Sequence, residues 1–284
     1  MKSSWMVVAG LLFAIMGVFV KLGSAYFSSA ELVFYRSVIG LLVIFTIVRT
    51  RKLPLATPHV ATHVWRGLSG FFALMLFFYA ISALPLATAI MLNYTAPLFL
   101  AILLTLFLKE KPHWELFGAI LVGFSGVVLL LHPTLESDQS SAGLMGLASG
   151  FLAGIAYFNV NQLGKQGEPE WRVVFYFTLV ATIGAGAWML VHTFHPVRLR
   201  HVPILLGLGA SATLAQLAMT RAYRLGKTLV VGSLAYITVA FASLFGILLW
   251  GEWLDKLSWL GMSLIALSGI FSVLWTQRAS TIVK

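Results

Sequence analysis

Apolar residues fall in ten blocks along this 284-residue chain, each of about 20 residues, the length that crosses a hydrocarbon core of about 30 Å. The blocks are Trp5–Leu22, Glu31–Val48, Val64–Ala83, Leu86–Leu108, Trp114–His132, Gly143–Leu163, Val173–His192, Val202–Arg221, Thr228–Trp250 and Leu257–Thr276. In lipid every backbone polar group must be satisfied internally, so a spanning segment is a helix or a strand of a closed barrel. Barrel strands are short and alternate in polarity. These runs are long and continuous, so the expected fold is an all-α integral membrane protein with ten transmembrane helices. Links such as Ser82-Ala83-Leu84-Pro85 and Lys109–His113 are short, which makes sequence neighbours antiparallel neighbours in space.

Little chain is left for a separate soluble domain. Only 10% of residues are charged, against about 25% in soluble domains, which excludes a soluble enzyme. There is no cysteine, so disulfides and thiolate metal sites are excluded. Lys2, the apolar run and Gly23-Ser24-Ala25 also fit a signal peptide. The internal repeat described below requires the first block as a span, so it is kept as one.

The net charge of +10 reads as topology. With the N-terminus inside, Lys2, Arg49, Arg51, Lys52, Arg66, Lys109, Lys111, Lys165, Arg172, Arg221, Arg224, Lys227, Arg278 and Lys284 fall on the inner side. Only Lys21, Arg36, Arg198, Arg200 and Lys256 fall on the outer side or near outer span ends. The positive-inside rule then predicts a multi-pass protein of the inner (plasma) membrane with both termini cytoplasmic. The basic residues also draw anionic lipid, so membrane lipids are expected partners and nucleic acid is not.

The two halves resemble each other. Leu22-Gly23 and Val33-Phe34-Tyr35 match Leu163-Gly164 and Val174-Phe175-Tyr176 at an offset of 141. Ala80, Tyr94 and Glu110 match Ala222, Tyr236 and Glu252 at 142, and Ser125-Gly126 matches Ser268-Gly269 at 143. The predicted units are residues 1–138 and 143–284, five spans each. An odd number of spans makes the second unit enter the membrane from the opposite side. Such an inverted repeat gives a transporter two similar states, one open to each side, with the binding site at the repeat interface.

Phe34-Tyr35-Arg36, Ala87-Thr88-Ala89, Pro97, Lys109-Glu110 and Gly251-Glu252, set in a 5+5 layout, resemble an EamA-type member of the drug/metabolite transporter superfamily. The resemblance implies export or exchange of small organic metabolites by a monomer or homodimer. It also implies a cavity lined by spans one, three, four, six, eight and nine, with spans five and ten peripheral.

Strongly polar groups inside a membrane are costly and mark function. The seven histidines and nine acids all fall in links or at span ends, so a midplane carboxylate relay or metal site has no evident ligands, and neither metal nor cofactor is expected. The candidate substrate-binding or gating residues are Lys21, Arg36, Tyr79, Asn93 and Tyr94 in the first unit. A second polar set on the inner side is Asn161, Gln162, Gln216, Arg221 and Tyr236, in which Gln162 matches Lys21 and Tyr236 matches Tyr94, so two polar layers are expected to flank an apolar middle, each near one mouth of the pathway. Each has a plainer reading. Lys21 can snorkel to headgroups, Arg36 can pair with Glu31, Arg221 can serve topology, and Asn93 and Tyr94 can make ordinary interhelical hydrogen bonds. Pro97 removes the N–H that would bond the carbonyl of Asn93, which kinks span four. Glu110 and Glu252 can cap helices or latch a gate. Gly146, Gly150 and Gly154 repeat every fourth residue, a spacing that lets helices approach closely. Cationic residues on the pathway favour an anionic or zwitterionic substrate such as an amino acid or another carboxylate. The competing reading, an integral membrane enzyme acting on a lipid-linked substrate, predicts acidic or histidine clusters at one membrane face.

Overall fold

The computed structural model describes residues 5–107, 114–135, 139–192, 194–225 and 234–282. Among them the regular structure is entirely helical: α1 (Trp5–Gly23), α2 (Ser29–Thr50), α3 (Val60–Ala83), α4 (Leu86–Asn93), α5 (Ala96–Phe107), α6 (Trp114–Leu135), α7 (Ser140–Lys165), α8 (Glu170–Val191), α9 (Val202–Leu225), α10 (Ile237–Trp250) and α11 (Lys256–Ile282). Six helical segments are long and apolar enough to cross a membrane, and α10 is one of several shorter apolar helices.

Sequence sets the helix ends. Ser28 and Glu31 form a capping box at α2: the Ser28 N–H donates to Glu31 Oε2 at 2.7 Å, and the Glu31 N–H donates to Ser28 Oγ at 3.4 Å. Two of the N–H groups orphaned at a helix start are thereby satisfied. Gly251 closes α10 in the left-handed region at φ 65°, where a glycine carries no Cβ penalty.

The expected continuous fourth span is two helices. The chain leaves helical geometry at Tyr94 and Thr95 and resumes at Ala96. The Thr95 hydroxyl donates to the Leu92 carbonyl at 2.6 Å, and Pro97 has no N–H to offer the Asn93 carbonyl. The expected ninth span, whose residues 228–233 lie outside the described residues, carries a turn at the corresponding place. A turn at Ala235-Tyr236 precedes α10, and the Thr238 hydroxyl donates to the Ala235 carbonyl at 2.8 Å. No proline marks this second break.

The most extensive helix pairings are α3 with α7, α6 with α11, α1 with α9 and α2 with α8. Each joins a helix before residue 138 to one after it, so the two halves interdigitate. The main core cluster runs through α1, α3, α4, α8, α9 and α10, with Phe78, Leu86, Met91 and Leu92 fully buried.

Candidate functional site

The two helix breaks meet. The Tyr94 and Tyr236 rings lie 6.0 Å apart. Tyr94 Oη donates to Thr238 Oγ1 at 3.0 Å, and Tyr236 Oη donates to the Tyr94 carbonyl at 3.3 Å. A tyrosine from each break therefore bonds the other break. The breaks are also pressed from the opposite half. A Cβ added at Gly150 of α7 would lie 2.3 Å from Thr95 Oγ1 and 2.6 Å from the Leu92 carbonyl oxygen. One added at Gly10 of α1 would lie 2.9 Å from Ile237 and 3.0 Å from Thr238 Oγ1. Small residues let a helix touch loosened backbone directly. Asn93 Nδ2 donates to Ser149 Oγ at 3.1 Å, tying the first break again to α7.

An ion pair of Lys21 and Glu252 closes one end of the bundle. Lys21 Nζ also donates to the Leu84 carbonyl at 2.9 Å, and Glu252 Oε2 accepts from the Leu86 N–H at 2.7 Å. The ammonium stands 5.2 Å from the Trp250 ring. Lys21 thus neither snorkels nor stands free. It holds the end of α1, the link into α4 and the end of α10 at one point. Beside it, Glu31 accepts from the His195 N–H at 2.6 Å and bonds His195 Nδ1 at 3.0 Å. Its partners are His195 and Ser28, which corrects the expected pairing with Arg36.

The opposite end carries a clasp that the sequence did not single out. Glu168 accepts from Thr57, from Arg172 at 2.9 Å, and bonds His63 Nε2 at 3.2 Å. His63 is fully buried and stacks on Tyr176 at 4.6 Å. Arg172 also donates to the Pro54 carbonyl at 2.8 Å. The start of α8 therefore grips the link between α2 and α3, as the start of α2 grips the link between α8 and α9. Burial alone would raise the Glu168 carboxyl, but donors Thr57, Arg172 and His63 outweigh it and hold the group below the usual carboxylate range.

The remaining candidates are dispersed. Arg36 is buried, and with Gln216 it lines a small cavity between α2, α8 and α9. Tyr79 is 43% exposed on α3. Gln162 is half-buried on α7, and the side chain of Asn161 lies outside the described residues. Arg221 is exposed and stands 4.7 Å from the Trp5 ring. Glu110 lies outside the described residues. Arg66, read from sequence as an inner-end topology residue, is 6% exposed within the bundle. Among the described residues, no group of three or more His, Asp or Glu side chains is placed to hold a metal ion.

Helices long and apolar enough to cross a membrane make this a multi-pass membrane protein, and its family and relatives make it a transporter and not an enzyme. The chain belongs to the EamA-like transporter family, which it matches over residues 2–132 and 140–275. It is 33% identical over 264 residues to the pseudopaline exporter CntI of Pseudomonas aeruginosa strain UCBPP-PA14, covering 93% of each chain. It is 26% identical to a riboflavin transporter of Vibrio cholerae, covering 97% of this chain and 94% of that one. It is 24% identical to an S-adenosylmethionine uptake transporter of Rickettsia bellii, covering 88% and 86%. A crystal structure of a protein 18% identical in sequence shares the fold at a TM-score of 0.65, covering 98% of this chain and 100% of that one.

Proposed function

We propose that this chain is a secondary transporter that moves a small anionic or zwitterionic organic metabolite by alternating access, in export or exchange. The observation that carries the reading is the pair of breaks meeting at Tyr94 and Tyr236. Interrupted helices in corresponding positions of two halves are the strongest local pointer to a transporter binding site. Ten spans in two inverted units, residues 1–138 and 143–284, account for why each break is pressed by the first helix of the other unit. The basic residues then put both termini in the cytoplasm of a bacterial inner membrane. In that orientation the Lys21–Glu252 pair is an outer gate, and the Glu168 clasp lies on the inner side. The pathway runs between them past Asn93, Tyr94 and Tyr236.

The absence of native cysteine makes the test clean. Lys21→Cys with Glu252→Cys is treated with a short bis-methanethiosulfonate, which joins the two thiols through disulfides as sulfinate leaves, in proteoliposomes loaded with a metabolite pool. The expected result is loss of flux on cross-linking and its return when a reducible cross-linker is cleaved. Unchanged flux through the cross-linked protein overturns the outer gate.

A further inference from the structure

Two arginines inside the bundle face the same phenylalanine. Arg66 Cζ lies 3.7 Å and Arg36 Cζ 5.7 Å from the centre of the Phe177 ring. The two guanidinium carbons are therefore no further apart than those two distances laid end to end. Arg36 sits seven residues into α2 and Arg66 six residues into α3. These helices enter from opposite ends of the bundle, so each arginine stands about 10 Å from its own end, at a rise of about 1.5 Å per residue. Both are 6% exposed.

Their hydrogen-bond accounts do not close. Arg36 Nε, Arg66 Nε and Arg66 Nη1 are buried without a partner. Among the described residues no carboxylate pairs with either side chain. The other titratable groups near Arg66 are the Tyr157 phenol and the His63 imidazole, which is itself bonded to Glu168. A buried cation without a partner is expensive, and stacking on an aromatic face returns about 2 kcal/mol at best. Two such cations turned to one ring compound the cost, because they also repel each other. The fold makes room for the arrangement. A Cβ at Gly70 would lie 3.0 Å from Arg66 Nη1 and 2.9 Å from the Phe177 ring. Arg36 opens into the narrow cavity shared with Thr178, Thr213 and Gln216, whose free space of about 10 Å³ suits a single water-sized group.

We infer that Arg36 and Arg66, stacked on Phe177, form a binding site for the carboxylate of the transported metabolite. The inference rests on the transporter reading and names the charge its substrate carries. A planar guanidinium fork matches a carboxylate through two parallel N–H···O bonds. One carboxylate entering between the forks supplies acceptors for the orphaned donors and neutralises the repulsion. Gln216 and Thr213 stand beside Arg36 to receive the rest of the molecule. The cavity as it stands holds no more than a water and is lined by Arg36 and Phe177 but not by Arg66, so loading couples to separation of α2 from α8 and α9, which opens space between the two forks.

The test is thermal unfolding of the full-length chain in detergent at pH 7 and constant ionic strength, with chloride replaced stepwise by acetate. Parallel titrations use bicarbonate and the neutral isostere acetamide. A ligand that binds only the folded state stabilises it by RT ln(1 + [L]/Kd), so the melting temperature climbs with the logarithm of ligand concentration once that passes the Kd. The expected result is such a rise with acetate and none with acetamide. Arg66→Gln and Arg36→Gln raise the acetate concentration at which the climb begins by about tenfold or more, the loss of a charge-assisted bond. Without acetate both neutral variants melt at or above the wild type, since each removes an unpaired buried charge. Arg66→Lys keeps the charge but loses the fork and the planar stack on Phe177, so it binds acetate more weakly than the wild type while still binding it. A wild type whose melting temperature rises no more with acetate than with acetamide overturns the site, as does a rise left intact in the double glutamine variant. A rise with bicarbonate alone assigns a resident inorganic ion and overturns the substrate carboxylate. Binding in micelles is read without transport, so it fails independently of the cross-linked flux assay.

Discussion

Lys21–Glu252 and Arg36–Arg66 are both sets of charge within an apolar bundle, and they are provisioned in opposite ways. Lys21 has a carboxylate, a carbonyl and an indole face, and Glu252 has the ammonium and a backbone N–H. Their side chains are 14% and 15% exposed. Arg36 and Arg66 share one aromatic ring and leave three nitrogens unpaired. A satisfied pair at the end of three elements fixes the relative position of those elements and is suited to a gate. An unsatisfied pair in mid-bundle fixes nothing and is suited to a visitor.

The largest effect expected comes from breaking the satisfied set. Glu252→Ala leaves the Lys21 ammonium half-buried without its carboxylate and the Leu86 N–H without an acceptor. We expect a loss of about 2–3 kcal/mol in equilibrium unfolding, the buried-pair range discounted for residual exposure. The Lys21→Met/Glu252→Gln double variant recovers most of it. If Arg36→Gln costs as much as Glu252→Ala, the contrast between the two sets is broken. Next in size is Gly150→Ala, which places a methyl against Thr95 Oγ1 and a backbone oxygen. Overpacking of this kind costs about 1–3 kcal/mol. Gly164→Ala, where a Cβ meets nothing within 4 Å, is the control. It gains up to about 1 kcal/mol of helix propensity.

Much of this was legible in the sequence. The apolar blocks predicted the helices, because lipid leaves the backbone no other solution. The glycine repeat on α7 predicted close packing, and Gly146, Gly150 and Gly154 all press on α4, α5 or the break between them. The repeat tied Tyr94 to Tyr236 at one offset but set them in two polar layers, one near each mouth; their direct contact, with rings 6.0 Å apart, was hidden because it depends on both turns lying at one depth in the bundle. What stayed hidden depended on which side of a helix faced which neighbour. Arg66 looked like an inner-end topology charge, and only the crossing of α3 over α8 turns it onto Phe177. Glu168 and His63 lie more than a hundred residues apart, and the link holding Thr57 had no reason in sequence to reach them. The second break carries no proline, so its one signal was Tyr236 standing where Tyr94 stands in the first half.

The Glu168 clasp sharpens the comparison from the side of pH. Its carboxyl is held below the usual carboxylate range, as its donors outweigh burial. A carboxylate with a depressed folded-state pKa contributes stability that is fully present above its unfolded pKa of about 4.3 and is lost as pH falls through the folded value. Melting temperature should therefore fall on the acid limb, and Glu168→Gln should flatten that limb while lowering the plateau near neutral pH. An acid limb unchanged in Glu168→Gln would assign the acid sensitivity to other carboxylates.

The smallest stability effect belongs to the residues proposed nearest the pathway. Tyr94→Phe removes the hydrogen bond from Tyr94 Oη to Thr238 Oγ1. Interhelical bonds of this kind are worth about 0.6 kcal/mol in membranes, because the unfolded state in lipid also finds partners. A change that small leaves the melting temperature nearly untouched. Flux should respond far more, since the bond spans the two turns whose separation, in the proposed cycle, opens the pathway. A Tyr94→Phe protein with normal folding and altered flux places the hydroxyl in the transport cycle. Normal folding with normal flux makes the Tyr94–Thr238 bond a packing contact, and leaves the arginines as the polar contact the substrate uses.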